Sequence, residues 1–421
     1  MARGLAVLAL SLGSAAPGLA QAPRSPRLDR LEQAVQDGSI GALDRFWAEL
    51  TAVGAPLVEP HPSDPSRRLV TFVWRASEPA RDVVVAGSAL GGNPAANRLT
   101  QMPGTQLWHR TLDLPADLRT VYRFVIDPPE GSTGTRAHAR QDPFNPKAFV
   151  YPRDPEVEGS TDYRISLLEL PAAGAQPWIG EQAGVPRGRV ETHRFASRIL
   201  GNERRVFVYT PAGYEPGAAP YPLLLIFDGA AYLTLVPTPV ILDNLIAAGR
   251  IPPAVAVLVD NPDAATRSRE LDCYSPFVEF VATELTPWIE ARYRVSTDPG
   301  RRLLGGSSGG GQASICIGEH HPELFGLILA QSGSFFAAPD QPMGDEWVYR
   351  HLIERPRLPL RVYLDVGRFE PSFSVTGVRM MRNVLEALGY PLVYQEFSGG
   401  HDYSWWRGTL ADGLIALLPA Q

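Results

Sequence analysis

The chain holds a single lysine, Lys147, two cysteines, and no apolar run approaching the roughly eighteen residues that a membrane-spanning helix needs. Each shortage excludes something. Basic charge is nearly all arginine and is outweighed by 45 acidic residues, leaving a net charge of −6 and a pI near 5.8. That balance gives no basic surface for nucleic acid, so no nucleic-acid partner is expected. The cysteines, Cys273 and Cys316, are not in metal-ligand spacing, and no metal or organic cofactor is called for. Whether they pair stays open: an exported protein permits a disulfide, whereas Cys316 in Ala313-Ser314-Ile315-Cys316-Ile317 also reads as a small core residue. Without a long apolar run, the mature protein has no expected membrane span.

What is present suits a multidomain protein: 421 residues, 44% of them apolar, allow two or three packed cores. Arg3, an apolar stretch from Leu5 to Leu12 and small residues ending at Ala20-Gln21-Ala22 form a secretory signal over 1–22, cleaved after Ala20 or Ala22. The expected location is therefore periplasmic or secreted. Leu28 to Gly54 has helical periodicity, and from Leu69 to Ile126 the period changes to two, with turns between short strands. An N-terminal domain over 28–165 follows, a helical lead-in plus a small all-β, immunoglobulin-like sandwich. A Pro-rich linker is expected at 166–187. From 188 to 421, buried apolar strands such as Leu223–Phe227 and Ala254–Val259 alternate with helix-length segments. This pattern predicts a mostly parallel sheet with helices on both faces, whose ligands bind at the carboxyl ends of the strands.

One such strand, Leu303-Leu304, runs into Gly305-Gly306-Ser307-Ser308-Gly309-Gly310-Gly311, and Gly399-Gly400-His401-Asp402 comes near the C-terminus. A Gly-x-Ser-x-Gly between strand and helix, with a late histidine, is the order of an α/β-hydrolase. The glycines leave room for a serine in an uncommon backbone conformation. Two frames fit, centred on Ser307 or on Ser308. Ser307 is favoured, because Gly310 follows its frame directly and the apolar strand ends closer to it. His401 is then the base that takes the serine proton. The triad carboxylate is expected just past Val362-Tyr363-Leu364, at Glu370 in preference to Asp365, with Asp402 a weaker third choice. Oxyanion donors are expected from the backbone N–H of Ser308 and of Gly229 or Ala230, with Asp228 bracing that loop. Arg267 and Arg269 are candidates to grip a carbonyl, carboxylate or phenolate, although Arg269 reads equally well as a surface pair with Glu270. Trp405 and Trp406 would suit an aromatic ligand if exposed, with core packing the safer reading for at least one.

Phe46-Trp47-Ala48-Glu49-Leu50, Asp142-Pro143-Phe144-Asn145-Pro146, Arg267-Ser268-Arg269-Glu270-Leu271, Leu364-Asp365-Val366-Gly367-Arg368-Phe369-Glu370-Pro371 and Gly399-Gly400-His401-Asp402 through Trp406-Arg407-Gly408 together resemble the enterochelin (enterobactin) esterase family over nearly the whole mature length. The resemblance implies hydrolysis of the tri-serine lactone of catecholate siderophores, with or without bound iron. It implies Ser307 as nucleophile, His401 as base, Glu370 as acid, and Arg267 at the acyl or catecholate part. Two departures stand out: the signal segment, where many members are cytoplasmic, and the small Ser308 after Ser307, where the family often has an aromatic. Two alternatives are carried: a feruloyl or acetyl-xylan esterase, and a non-catalytic siderophore- or glycan-binding protein that keeps the fold.

Overall fold

Apolar periodicity first forms helix in this chain and then switches to strand. The computed structural model describes residues 23–129, 136–157, 159–335 and 346–419; the signal segment expected at 1–22 lies outside them. Helix Pro26–Gln36 starts at Ser25, whose Oγ accepts the Leu28 N–H at 3.1 Å. Gly38 and Gly41, both at positive φ, separate it from helix Ala42–Val53, so the helical stretch is two elements. Leu28, Leu31, Phe46, Trp47 and Leu50 bury against Leu57, Val73 and Leu107 of the sheet beneath.

That sheet orders Leu57–Pro60, Arg67–Arg75, Leu107–Pro115 and Thr100–Gln101 as antiparallel neighbours. A second orders Val83–Gly87, Arg119–Ile126, Tyr163–Glu169 and Ala148–Tyr151, also antiparallel, with Ala139–Arg140 on Arg119–Ile126. One core joins them: Val70, Phe72 and Trp108 of the first meet Val85, Tyr122, Phe124 and Leu168 of the second. The linker expected from 166 begins inside a strand, because Ser166, Leu167 and Leu168 continue the ladder with Tyr122, Val121 and Thr120.

The following sheet has eight strands, in the order Arg189–Ser197, Asn202–Thr210, Val255–Val259, Leu223–Phe227, Arg302–Ser307, Leu327–Gln331, Arg361–Gly367 and Leu392–Phe397. An antiparallel hairpin forms one edge, and from Val255–Val259 onward every neighbour is parallel. Strands Leu223–Phe227 and Val255–Val259 are apolar throughout because two cores lie against the sheet. One takes Leu225, Val257, Leu304 and Val362, the other Leu224, Ala256, Leu303 and Tyr363. Parallel strands deliver their carboxyl ends to one edge, gathering the segments that begin at Asp228, Asp260, Ser308, Ser332 and Arg368. No helix among the described residues is long and apolar enough to cross a membrane.

Candidate active site

Strand Arg302–Ser307 passes directly into helix Gly309–His320, and the residue at the junction is Ser308, at φ 57° and ψ −122°. This corrects the frame centred on Ser307. A Cβ on Gly306 would lie 2.8–2.9 Å from the carbonyl carbon and Cα of Gly310, so the position two before Ser308 must lack a side chain for the helix start to pack against the strand end. The strand extends three residues beyond Leu304, since Gly305, Gly306 and Ser307 still pair with Leu329, Ala330 and Gln331. Ser307 is 1% exposed, and its Oγ is buried without a hydrogen-bond partner. Ser308 is half-buried and borders a cleft. Its Oγ lies 3.3 Å from Ser334 Oγ in a cleft of about 240 Å³ that Arg267, Leu271, Asp272 and Gln312 also line.

His401 follows the last strand, and its Nδ1 meets Glu370 Oε2 at 2.7 Å. The carboxylate is held from its other side: Glu370 Oε1 accepts from Ser332 Oγ at 2.6 Å and from the Gly367 N–H at 2.8 Å. Trp406 stands edge-on beneath the imidazole, with ring centroids 4.8 Å apart. With Nδ1 committed to a carboxylate, Nε2 is the nitrogen left to exchange a proton. Asp365, the second carboxylate considered, does not touch the ring. It is fully buried, takes the Ser332 N–H at 3.2 Å, has an unpartnered Oδ2, and burial pushes its pKa up to about 8. Asp402 also turns away from the imidazole and caps helix Tyr403–Leu417 through the Ser404 N–H at 2.9 Å.

Two of the expected oxyanion donors are already spent. Ser308 N–H donates to Gln331 O at 2.9 Å, and Ala230 N–H to Asp260 Oδ1 at 3.2 Å. Gly309 is the first residue of the helix after Ser308, and Gly229 the first residue of helix Gly229–Thr234. First-turn N–H groups of a helix have no acceptor within it and are free to face an anion. Arg267 borders this corner: Nε and Nη2 grip Asp228 at 2.5 and 2.7 Å, while Nη1 lies 3.8 Å from where a Cβ on Gly309 would stand.

Two family models match this chain, one for each part. Residues 69–179 match the family model "Enterochelin esterase, N-terminal", and residues 197–417 match the "Putative esterase" model. The iron(III) salmochelin esterase of Escherichia coli O6:H1 is 30% identical over 393 residues, covering 90% of this chain and 94% of the relative. This chain belongs to the enterochelin esterase family. The iron(III) enterobactin esterase of Dickeya dadantii is 29% identical over 412 residues, covering 89% of this chain and 93% of that one. The crystal structure of Shigella flexneri enterobactin esterase in the presence of enterobactin superposes with a TM-score of 0.73 at 27% identity, covering 90% of this chain and 98% of that one. As a member of this family, the chain is a carboxylic ester hydrolase with an esterase-type fold.

In this enterochelin esterase relative the two tryptophans are scaffold and do not line the cleft. Trp405 stacks on Phe397 at 5.1 Å and donates Nε1 to Arg119 O at 2.9 Å; Trp406 is buried and donates Nε1 to Ser332 Oγ at 2.9 Å. Arg269 points outward, 3.6 Å from Glu270 Oε1 with its side chain 54% exposed. Glu270 is not at the surface: it is wholly buried and takes Arg204 Nη1 and Nη2 at 2.9 and 3.1 Å. Sequence reasoning missed that pair, and missed Ser332, because their partners come from strands distant in the chain. It left the cysteine pair open, and the structure joins Cys273 to Cys316.

Proposed function

We propose that this protein hydrolyses the ester bonds of a catecholate siderophore built on a tri-serine lactone, of the enterobactin and salmochelin class, through an acyl-Ser308 intermediate. The observation that carries this reading is the Glu370–His401 pair at 2.7 Å, on the same sheet edge as a serine in the left-handed elbow conformation. Ser308 Oγ attacks the ester carbonyl as its proton passes to His401 Nε2. Glu370 keeps the other ring nitrogen protonated and offsets the imidazolium charge. The N–H groups of Gly309 and Gly229 receive the oxyanion. His401 then protonates the departing serine hydroxyl of the substrate, and water, deprotonated by the same ring, releases the acyl group from Ser308. Iron, where bound, belongs to the substrate and takes no part in these steps.

Substrate class rests on the relatives that span both parts of the chain. The match of residues 69–179 to the N-terminal enterochelin esterase model separates this reading from feruloyl and acetyl-xylan esterases. Arg267, fixed by Asp228 with Nη1 left toward Ser308's neighbour, suits the acyl carbonyl or a catecholate oxygen. We read the N-terminal sheets as an immunoglobulin-like sandwich and the eight-stranded sheet as an α/β-hydrolase core, in keeping with the order Ser308, Glu370, His401. We also propose export to the periplasm or beyond, supported by the composition of residues 1–22 and by a disulfide that an oxidising compartment permits.

A fluorophosphonate probe should add covalently to Ser308, be lost in Ser308→Ala and persist in Ser307→Ala; absence of any adduct overturns the acyl-serine step. Incubation with ferric enterobactin should release linear acyl-serine fragments. Cleavage of methyl ferulate alone would overturn the siderophore assignment.

A further inference from the structure

The carboxylate of Asp402, next to the catalytic histidine, faces away from the imidazole and into the N-terminal domain. Its Oδ2 accepts from Thr120 Oγ1 at 3.2 Å, from the Val121 N–H at 3.4 Å and from Ser88 Oγ. Its Oδ1 is taken by the N–H and hydroxyl of Ser404 at the start of the final helix. Asp402 is 5% exposed, so these five donors replace water entirely, and three of them belong to the other domain. The rest of the loop is held the same way. Arg119 N–H donates to Ser398 O at 2.9 Å, and a Cβ on Gly400 would run into the carbonyl group of Ser88. On the hydrolase side, Phe369 N–H reaches Gly399 O at 3.0 Å, Glu370 meets the ring at Nδ1, and Trp406 packs edge-on against it.

A second contact reaches the opposite side of the cleft. Asp154, between strands Ala148–Tyr151 and Tyr163–Glu169, receives Arg205 Nη1 and Nη2 at 2.9 and 2.6 Å. Arg205 Nε meets Asp260 Oδ2 at 2.8 Å, and Asp260 Oδ1 takes the Ala230 N–H at 3.2 Å, in the loop that presents Gly229. Both loops that must converge on one ester carbonyl therefore lean on the same neighbouring domain.

We infer that the N-terminal domain is a positioning part of the hydrolytic centre: through Asp402 it sets the loop that aims His401, and through Asp154 and Arg205 it steadies the oxyanion loop. Ser88, Thr120 and Asp154 are positioning residues; none touches the substrate's reacting atoms. The inference rests on the acyl-serine reading above. A base displaced by about an ångström loses catalytic power without losing affinity, since proximity enters the transition state more than ground-state binding.

The test uses the full chain and p-nitrophenyl butyrate, an ester whose hydrolysis asks nothing of a siderophore-binding surface. Ser88→Ala combined with Thr120→Val removes two of the three donors to Asp402 Oδ2. Its kcat should fall by about 10- to 100-fold with KM held within about twofold, and fluorophosphonate labelling should slow in parallel. Thr120→Ser, which keeps the hydroxyl, should retain the wild-type kcat. A double variant with unchanged kcat, or with the whole effect in KM, overturns the inference. If that variant does not fold, Asp154→Ala at the domain surface carries the test through an expected loss of about threefold in kcat, and an unchanged kcat there overturns it. Failure of the wild type to label at Ser308 would strike the acyl-serine reading instead, which keeps the two failures distinguishable.

Discussion

Ser332 donates in two directions, its Oγ to Glu370 Oε1 at 2.6 Å and its N–H to Asp365 Oδ1 at 3.2 Å, and the two carboxylates differ in what else they meet. Glu370 has the imidazole and the Gly367 N–H. Asp365 has an unpartnered Oδ2 in the sheet interior, where burial raises its pKa from 3.8 to about 8. A carboxyl group that is neutral at pH 7 leaves the charge beside His401 to Glu370 alone. The sign of the stability effect follows. Between about pH 4 and 8 the folded chain holds a proton on Asp365 that the unfolded chain has released, so stability falls as pH rises through that window. Asp365→Asn should keep hydrolytic activity and lessen the drop in Tm between pH 5 and pH 8. Glu370→Gln should lower kcat by about 10²- to 10⁴-fold. Equal activity losses in both variants would contradict this division, as would a Tm profile unchanged in Asp365→Asn.

At the scale of elements, the segment from Asp263 to Tyr274 packs the cleft's arginine against the helix that follows Ser308. Leu271 Cβ lies 3.3 Å from where a Cβ on Gly309 would stand, Gln312 Nε2 donates to Asp272 Oδ1 at 2.8 Å, and Cys273 is bonded to Cys316 of that helix. Replacing both cysteines by serine should cost about 2–4 kcal/mol in denaturant unfolding and raise KM for the siderophore more than it lowers kcat, because Arg267 loosens while Glu370 and His401 stay in place. A kcat loss with KM unchanged would show that the bond serves the nucleophile and not the arginine. The segment also shows how far the sequence could be read. Buried strands, the elbow and its glycines, and the late His401 were legible because each is a local pattern of period, bulk or turn chemistry. The choice between Ser307 and Ser308 was not, since both frames meet the same demand for small neighbours and only pairing with Gln331 fixes where the strand ends. Core packing of one tryptophan was legible, but which of Trp405 and Trp406 lies inside was not, nor was the burial of Glu270, because Arg119, Ser332 and Arg204 arrive from distant segments.

The whole molecule behaves as two domains stitched across one seam. Val121, Phe149, Ile165 and Leu167 of the N-terminal domain form a cluster with Leu235 of the hydrolase part, against which Ala231 and Tyr403 pack. Around it run polar ties: Gln176 Nε2 to Ser404 O at 2.7 Å, Arg407 Nε to Gln176 Oε1 at 2.8 Å, and Arg368 Nη2 to Asp117 Oδ2 at 2.8 Å. Phe369, one residue before Glu370, packs against the N-terminal core. Domains joined by a small polar interface melt separately, whereas unfolding either half here exposes apolar side chains of the other. The intact chain should therefore unfold in a single calorimetric transition whose van't Hoff and calorimetric enthalpies agree. Trp405 is the place to break the seam, because its indole lies between Phe397 and the Arg119 guanidinium, 4.7 Å from the latter, and donates to backbone on both sides. Trp405→Ala should split the melt in two and lower kcat on p-nitrophenyl butyrate, since the loop carrying His401 crosses the same seam. Two resolved transitions in the wild type would mean that the halves fold independently, and the histidine loop would then have to be ordered by the hydrolase part alone.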